Sequence, residues 1–573
     1  APWLLVGGIA LGCAIYLTWH LWAAPSRRVT AGNPNDSRLY VWYLQHAAWC
    51  VTHGHNPFVF TTMNAPAGIN AMWNTSIIVP GVLLTPVTLL ANASVSYDVL
   101  LVGGITVATV AAFALLRRFV RNDVAAAIGA LLYGFSPAVV AAGIGHLSLA
   151  MTAAIPVVLL LVEQIVVGQR RPVVLGVVLG VVTAAQLLTG EEVLFQAGVA
   201  VVVVLVVAGL TAVRDVTWIR LRRLAVAGAT ALVVTLVLAG YPLWMQFFGR
   251  LQQHGSPFTT SYFETDLRGF YTPSGSYWLA TQSSKHFAAA YGGGAPEYMA
   301  YLGIPVLVVA IITGLVGWRH QRVRLVFVAG LIAAVLSLGA DLLVGGVHHD
   351  VWLPWRTLQQ LPVFEAALAN RFAILTALAA AALVAIALDW LLRHGRAAAR
   401  VGFTAVVAAA CLAPLVPKPY AALATPPVPD FFRDVTHWVP RGSTVLVVPF
   451  PTARKTEPLM WQAAADMAFR MPGGFFIGPA GTGQAYIGGP GLRPTAAELT
   501  DIAASGDAPP VTDQVRESFA ADVHYWGVDA VALGPATYRA QLASFLTKLI
   551  GRTPTSAGGV LLWSGLGSTP TAP

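Results

Sequence analysis

Apolar runs of about 17 to 21 residues recur along the chain, among them residues 100–116, 193–213 and 373–392, and each is long enough as a helix to cross a hydrocarbon core of about 30 Å. Strands of a transmembrane barrel would alternate polar and apolar side chains, and these runs do not. A water-soluble chain would have to bury all of them, yet 56% of the 573 residues are hydrophobic and only 10% charged, against about 25% charged in an ordinary soluble domain. The expected fold is therefore an all-α polytopic membrane bundle of about eleven spans, carrying a C-terminal α/β domain outside the membrane.

The formal net charge of +9 raises nucleic acid as a partner, but the placement of the positive residues excludes it. Fifteen arginines fall in five short clusters between apolar runs: Arg117, Arg118 and Arg121; Arg170 and Arg171; Arg214, Arg220, Arg222 and Arg223; Arg319, Arg322 and Arg324; Arg393, Arg396 and Arg400. That is the pattern of cytoplasmic loops beside a lipid bilayer. The three cysteines, Cys13, Cys50 and Cys411, suggest neither a disulfide framework nor a zinc site.

With every arginine cluster inside, residues 143–147, 189–192, 245–300 and 345–370 lie outside. Residues 2–22 lack a basic leader and read as a retained first span with the N-terminus in the cytoplasm of a plasma-membrane protein. Parity then requires that one of the next two apolar blocks, 76–91 or 96–116, not cross fully, unless the cluster at Arg117 is misplaced. The shorter block, broken by Pro80 and Pro86, is the expected one. The chain thus divides into a membrane domain, 1–417, with outer loops 23–75 and 245–300, and an extracytoplasmic domain, 418–573. In the latter, residues 444–450 (TVLVVPF), 527–533 and 560–563 read as strands, and 494–505 and 536–550 as helices.

Polar residues at the outer ends of the runs are the functional candidates, because long outer loops commonly carry function. Asp36 sits in the sequence NPNDSR before an aromatic helix, 39–49, where it could also serve as a cap or turn residue. Trp73 and Asn74 close the same loop, and His53 and His55 form a weak metal pattern in it. His146 and the adjacent Glu191 and Glu192 lie at other outer ends; carboxylates there are costly unless paired or solvated. Residues 245–300 mix tyrosines, Trp278 and carboxylates such as Glu264, Asp266 and Glu297, a combination suited to sugars. Arg356 and Arg371 run against the positive-inside bias, and two reasons could hold them outside: a phosphate of a lipid-linked substrate, or an ion pair with Glu365 or Asp341.

This layout resembles the GT-C superfamily of integral-membrane glycosyltransferases, which use polyprenyl-phosphate sugars. The resemblance covers residues 1 to about 417 and rests on Asp36 in the first outer loop, the large loop 245–300 after the seventh span, and the segments LPVFEAALANRF (361–372) and 444–450. Asp36 stands alone, preceded by Asn35, where the superfamily often has a second acid. The resemblance implies a polyprenyl-phosphate sugar donor entering from the membrane lipids and an envelope glycan or lipid acceptor arriving from the outer face. It casts Asp36 as the base of an inverting transfer and Arg371 or Arg356 as the group that stabilises the departing phosphate. Glu191, Glu192, His146, Trp73 and Asn74 would orient the acceptor, and Asp36, Glu191, Glu192 and His146 would be the ligands of a divalent cation such as Mg or Mn if one is used. A lipid-linked precursor transporter or flippase, and a non-catalytic envelope scaffold, are the alternatives. The abundance of arginine over lysine suggests a GC-rich bacterial genome, hence an arabinosyltransferase or mannosyltransferase of cell wall biogenesis.

Overall fold

Lipid-length apolar runs become helices because no other structure satisfies their backbone groups away from water. In the computed structural model, which describes residues 2–168, 170–211, 217–258, 262–394 and 397–567, six helices are long and apolar enough to cross a membrane. They are Ala93–Leu116, Asp123–Ala142, Leu147–Val167, Glu191–Thr211, Trp218–Phe248 and Ala369–Arg393. Further apolar helices, Pro2–Leu17, Pro172–Leu187, Ile304–Val316 and Arg400–Leu415, have 10–17 residues. At 1.5 Å per residue these rise at most about 24 Å. Any count near eleven therefore relies on short helices beside the six long ones.

The block 76–91 is two helices, Ile78–Leu83 and Thr85–Leu90, of six residues each. Together they rise only about 18 Å.

The arginine clusters gather at one end of the bundle. Arg118 grips Glu163 through Nε and Nη2, both at 3.0 Å, while Arg322 donates to the carbonyl of Arg118, Arg324 to that of Thr211 and Arg223 to that of Ile165. The guanidiniums of Arg322, Arg324 and Arg223 thus meet backbone acceptors left open at helix C-termini. Arg214 and Arg396 lie outside the described residues.

Small residues bring helices close together. A Cβ on Gly176 or Gly180 would stand 2.6 Å and 2.7 Å from the carbonyl oxygens of Ala227 and Ala231, so Pro172–Leu187 and Trp218–Phe248 pack backbone to backbone.

The other end carries the long loops and the C-terminal region. Its core is a four-stranded sheet in the order Thr555–Ala557, Val560–Ser564, Val528–Leu533, Thr444–Val448, with only the last pairing parallel. Helices Pro494–Ser505, Asp513–Trp526 and Arg539–Ile550 pack beside it around Leu446, Val531 and Phe545. The helix Asp513–Trp526 had no counterpart in the sequence reading, although Thr512 caps it through the amide of Val515.

This region is seated on the first loop. The helix Pro34–His53 presents Asn35, Arg38, Trp42 and Gln45 along one stripe, and these meet Thr456, Glu457, Gln462 and Asp466 at 2.8, 3.1, 2.7 and 2.9 Å. Spacings of three and four residues place all four on one helix face. A two-stranded ladder, Arg28–Thr30 with Ala422–Ala424, ties the chain just after the first helix to the chain just after the last apolar one.

Candidate functional site

Asn33 caps the Pro34–His53 helix by accepting the amide of Asp36 at 3.3 Å, and Pro34 opens its first turn. The cap is therefore Asn33, and the Asp36 carboxylate turns elsewhere. One turn along the adjacent stripe follow Tyr40 and Tyr43, and all three line a cavity of about 440 Å³. His146 reaches the same cavity because Gly145 lets its loop press on Asn33: a Cβ there would lie 2.5 Å from that of Asn33.

Five charged side chains form a continuous line across the cavity wall. Asp36 Oδ2 stands 3.1 Å from His146 Nδ1, and His146 Nε2 stands 3.1 Å from Glu297 Oε1. Glu297 takes both Nε and Nη2 of Arg371, and Arg371 Nη1 donates to Glu192. Asn370 adds a hydrogen bond to Glu297 at 2.8 Å. These residues are 36, 146, 192, 297 and 371 in the chain, so five loop ends converge here.

An imidazole facing carboxylates on both nitrogens can donate from both only as the cation. Burial alone would push His146 down, but its hydrogen bonds with Asp36 and Glu297 outweigh that and raise it to about 9. Burial likewise works to raise Glu297, whereas Arg371 and His146 hold its carboxyl well below the usual range. At neutral pH His146 is therefore charged.

Asp36 Oδ2 also accepts from Asn33 Nδ2 at 2.8 Å, leaving Oδ1 without a protein partner among the described residues. Tyr40 and Ser148 share a hydrogen bond at 2.8 Å on the same wall. The opposite wall comes from the C-terminal region: Phe475, Phe476, Ile477 and Ile487.

The sequence candidates divide as follows. Asp36, His146, Glu192, Arg371 and Asn74 line the cavity. Glu191, 100° round the helix from Glu192, instead accepts from Gln246 at 3.0 Å and faces away. Trp73 donates to the carbonyl of Gln246 and is a packing residue. Asn74 uses its amide to hold Ile477, accepting its N–H at 2.7 Å and donating to its carbonyl at 2.9 Å.

Arg356 lies outside the cavity and pairs with Asp341, one of the two ion-pair partners weighed in the sequence, and with Asp350. His53 and His55 stack beside Trp49.

Glu297 was noted in the sequence only as one carboxylate of the sugar-suited segment 245–300 and was given no role, although a carboxylate after Pro296, in a run of tyrosines before an apolar helix, is a signal of the same kind as Glu192. The Phe475–Ile477 wall had no sequence signal pointing to a site 440 residues away from Asp36.

Among the described residues no three His, Cys, Asp or Glu side chains gather as metal ligands. Asp36, Glu192 and Glu297 each face His146 or Arg371.

A second cavity of about 230 Å³, within the bundle, is walled by leucine, valine, alanine and phenylalanine with Glu163 as its one ionisable lining side chain among the described residues. Arg118 engages that carboxylate, so the cavity offers no reactive group.

No protein-family model and no curated protein sequence matches the chain. Solved structures do. The arabinofuranosyltransferase AftD from Mycobacteria superposes with a TM-score of 0.56 at 17% identity, over 99% of this chain and 40% of that one. The oligosaccharyltransferase of Archaeoglobus fulgidus in complex with Zn and sulfate gives 0.54 at 14% identity, over 93% and 68%. The same enzyme tethered to an acceptor peptide gives 0.51 at 12%, over 92% and 68%.

This is the GT-C fold. The match extends well past residue 417, so the C-terminal region belongs to what is shared and is not an unrelated addition. The chain spans 40% of the length of AftD. Within the GT-C fold, the polar line from Asp36 to Glu192 stands at the junction of the helical bundle and the loop-bearing end.

Proposed function

We propose that this chain is a membrane glycosyltransferase that moves a sugar from a polyprenyl-phosphate donor to an envelope glycan or glycolipid, with inversion. The observation that carries the reading is the convergence of Asp36, His146, Glu297, Arg371 and Glu192 on one cavity where the membrane helices end. A lipid-held donor and a water-borne acceptor can meet at such a boundary, and nowhere deeper in the bundle is there a comparable polar cluster among the described residues.

In this reading Asp36 Oδ1 accepts the proton of the acceptor hydroxyl as its oxygen bonds to the anomeric carbon. The bond from that carbon to the phosphate oxygen breaks, and polyprenyl phosphate leaves with the electron pair. His146 and Asn33 orient the carboxylate through Oδ2. Developing charge on the phosphate falls nearest to Arg371, whose guanidinium is fixed in advance by two carboxylates and so needs no reorganisation. Fully ionised, the five groups carry one net negative charge, three acids against two bases. Local hydrogen-bond donors, not overall attraction, therefore stabilise the leaving group.

In this reading this end, with the C-terminal region, faces outward from the plasma membrane and the arginine clusters face the cytoplasm, which the positive-inside bias supports.

The test is Asp36→Asn in membranes supplied with labelled polyprenyl-phosphate sugars. General-base catalysis is worth roughly 10²–10⁴-fold, so transfer should fall by about that factor while donor binding persists. Wild-type transfer in the variant would remove Asp36 from the mechanism.

A further inference from the structure

Next to the cavity just described, and separated from it by a wall one chain thick, lies another of about 210 Å³. The wall is built from residues 262–264 and 290–297. Along the first of these, side chains alternate: Phe263 faces the larger cavity, and Tyr262 and Glu264 face the smaller. Along the second, Ala290, Tyr291 and Gly292 belong to the smaller cavity and the next five residues to the larger.

Glu264 is 2% exposed, and its two oxygens are treated differently. Oε1 accepts the amide of Ala340 at 2.8 Å. Oε2 is buried without a hydrogen bond among the described residues, with His348 Nδ1 at 3.6 Å. The other acid of this cavity, Asp266, differs: it is fully engaged by the amides of Arg268, Gly345 and Gly346 at 2.8, 3.0 and 2.7 Å. An unsatisfied carboxylate oxygen away from water is costly and calls for a donor from outside the chain.

The remaining walls are rings. Tyr291 and Tyr298 meet edge to face at 5.7 Å, Phe287 carries Arg268 over its face at 5.1 Å, and Tyr262 covers Gly292. His348 closes the mouth from an exposed hairpin, Asp341–Val344 with Val347–Trp352. Apolar ring faces beside one carboxylate acceptor match a sugar residue, which offers C–H faces and hydroxyl donors together. Burial raises the Glu264 carboxyl, opposed by the Ala340 amide and His348, so the group gains from a neutral hydroxyl partner.

We propose that the cavity of Glu264, Tyr262, Tyr291 and His348 is a saccharide subsite holding a sugar of the acceptor glycan adjacent to the one being extended. The role as acceptor subsite rests on the glycosyltransferase reading; saccharide binding itself does not. An acceptor lying across the thin wall would fill both cavities, which gives the enzyme a preference for chains over single sugars.

The experiment measures binding of arabino- and manno-oligosaccharides of one to six sugars to the full chain in lipid nanodiscs, by calorimetry and saturation-transfer NMR. Glu264→Gln keeps the acceptor for Ala340 and removes the charge; Ala290→Trp fills the cavity from an exposed position at its rim. Affinity in the wild type should rise with chain length, and both variants should weaken the longer oligosaccharides roughly 10-fold or more while leaving single-sugar binding and the melting temperature in place. Loss of binding that tracks a lowered melting temperature in both variants, equal binding in wild type and variants, or no saccharide binding at millimolar concentration would each overturn the proposal. Length-dependent binding that survives when Asp36→Asn transfers normally would sink the assigned base and leave the subsite standing.

Discussion

At the scale of single residues, the two-sided grip on His146 sets a pH dependence. Folding raises its imidazole to about 9 from near 6.5 in an unfolded chain. Its stabilisation is therefore complete below about pH 6.5 and fades as pH rises through about 9. Glu297 has the opposite sign: its folded carboxyl lies below the usual value of about 4.3, so its contribution is present above that pH and is lost in acid. Through His146, stability in thermal melts in nanodiscs should decline from about pH 6.5 toward about pH 9.5. In His146→Asn the alkaline decline should disappear; its persistence there would assign the slope to another group. Glu297→Gln breaks a buried pair with Arg371 and should cost roughly 3–5 kcal/mol, read as a lowered melting temperature. These acids and bases were visible in the sequence as polar residues at the ends of apolar runs, since lipid permits few others. Of their partners only Asp341 was among the candidates: nothing in the order of residues says that Arg371 meets Glu192 and Glu297, or that Asp350 joins Asp341 on Arg356.

At the scale of elements, the helix Pro34–His53 carries two jobs on neighbouring stripes. Asp36, Tyr40 and Tyr43 face the cavity, and Asn35, Arg38, Trp42 and Gln45 hold the C-terminal region. The first stripe was legible because a carboxylate near an aromatic helix is unusual. The second, though it has the same three-four periodicity, was hidden, because a polar stripe also suits a helix that merely faces water. The glycine contacts make a separate prediction. Gly180→Leu drives a side chain into the Ala231 carbonyl and should separate Pro172–Leu187 from Trp218–Phe248. Overpacking of this kind costs about 1–3 kcal/mol, measurable as lower thermal stability in detergent, whereas Gly198→Leu, which meets open space, should not change it. Equal stability of the two variants would show that the close approach is unimportant.

At the scale of the whole molecule, alternation of the arginine clusters with polar loop ends was readable from charge alone, and the structure gathers the described members of each set at opposite ends. The span count was not readable, because runs such as 304–316 and 76–91 are apolar but short or broken. Least legible was the contribution of residues 475–487 to the cavity wall, a pairing set by tertiary packing over 400 residues. Asn74 is the bolt between that wall and the first loop. Asn74→Ala should increase hydrogen exchange across residues 473–489 and raise KM for the acceptor more than it lowers kcat; unchanged exchange there would mean that other contacts hold the wall.

The ladder between Arg28–Thr30 and Ala422–Ala424 has a bearing on biosynthesis. Residues 28–30 must wait beside the translocon until residue 424 has emerged before their backbone amides and carbonyls find partners. The stretch between them is therefore stitched together late, and a nascent chain released before residue 424 is left with an open seam.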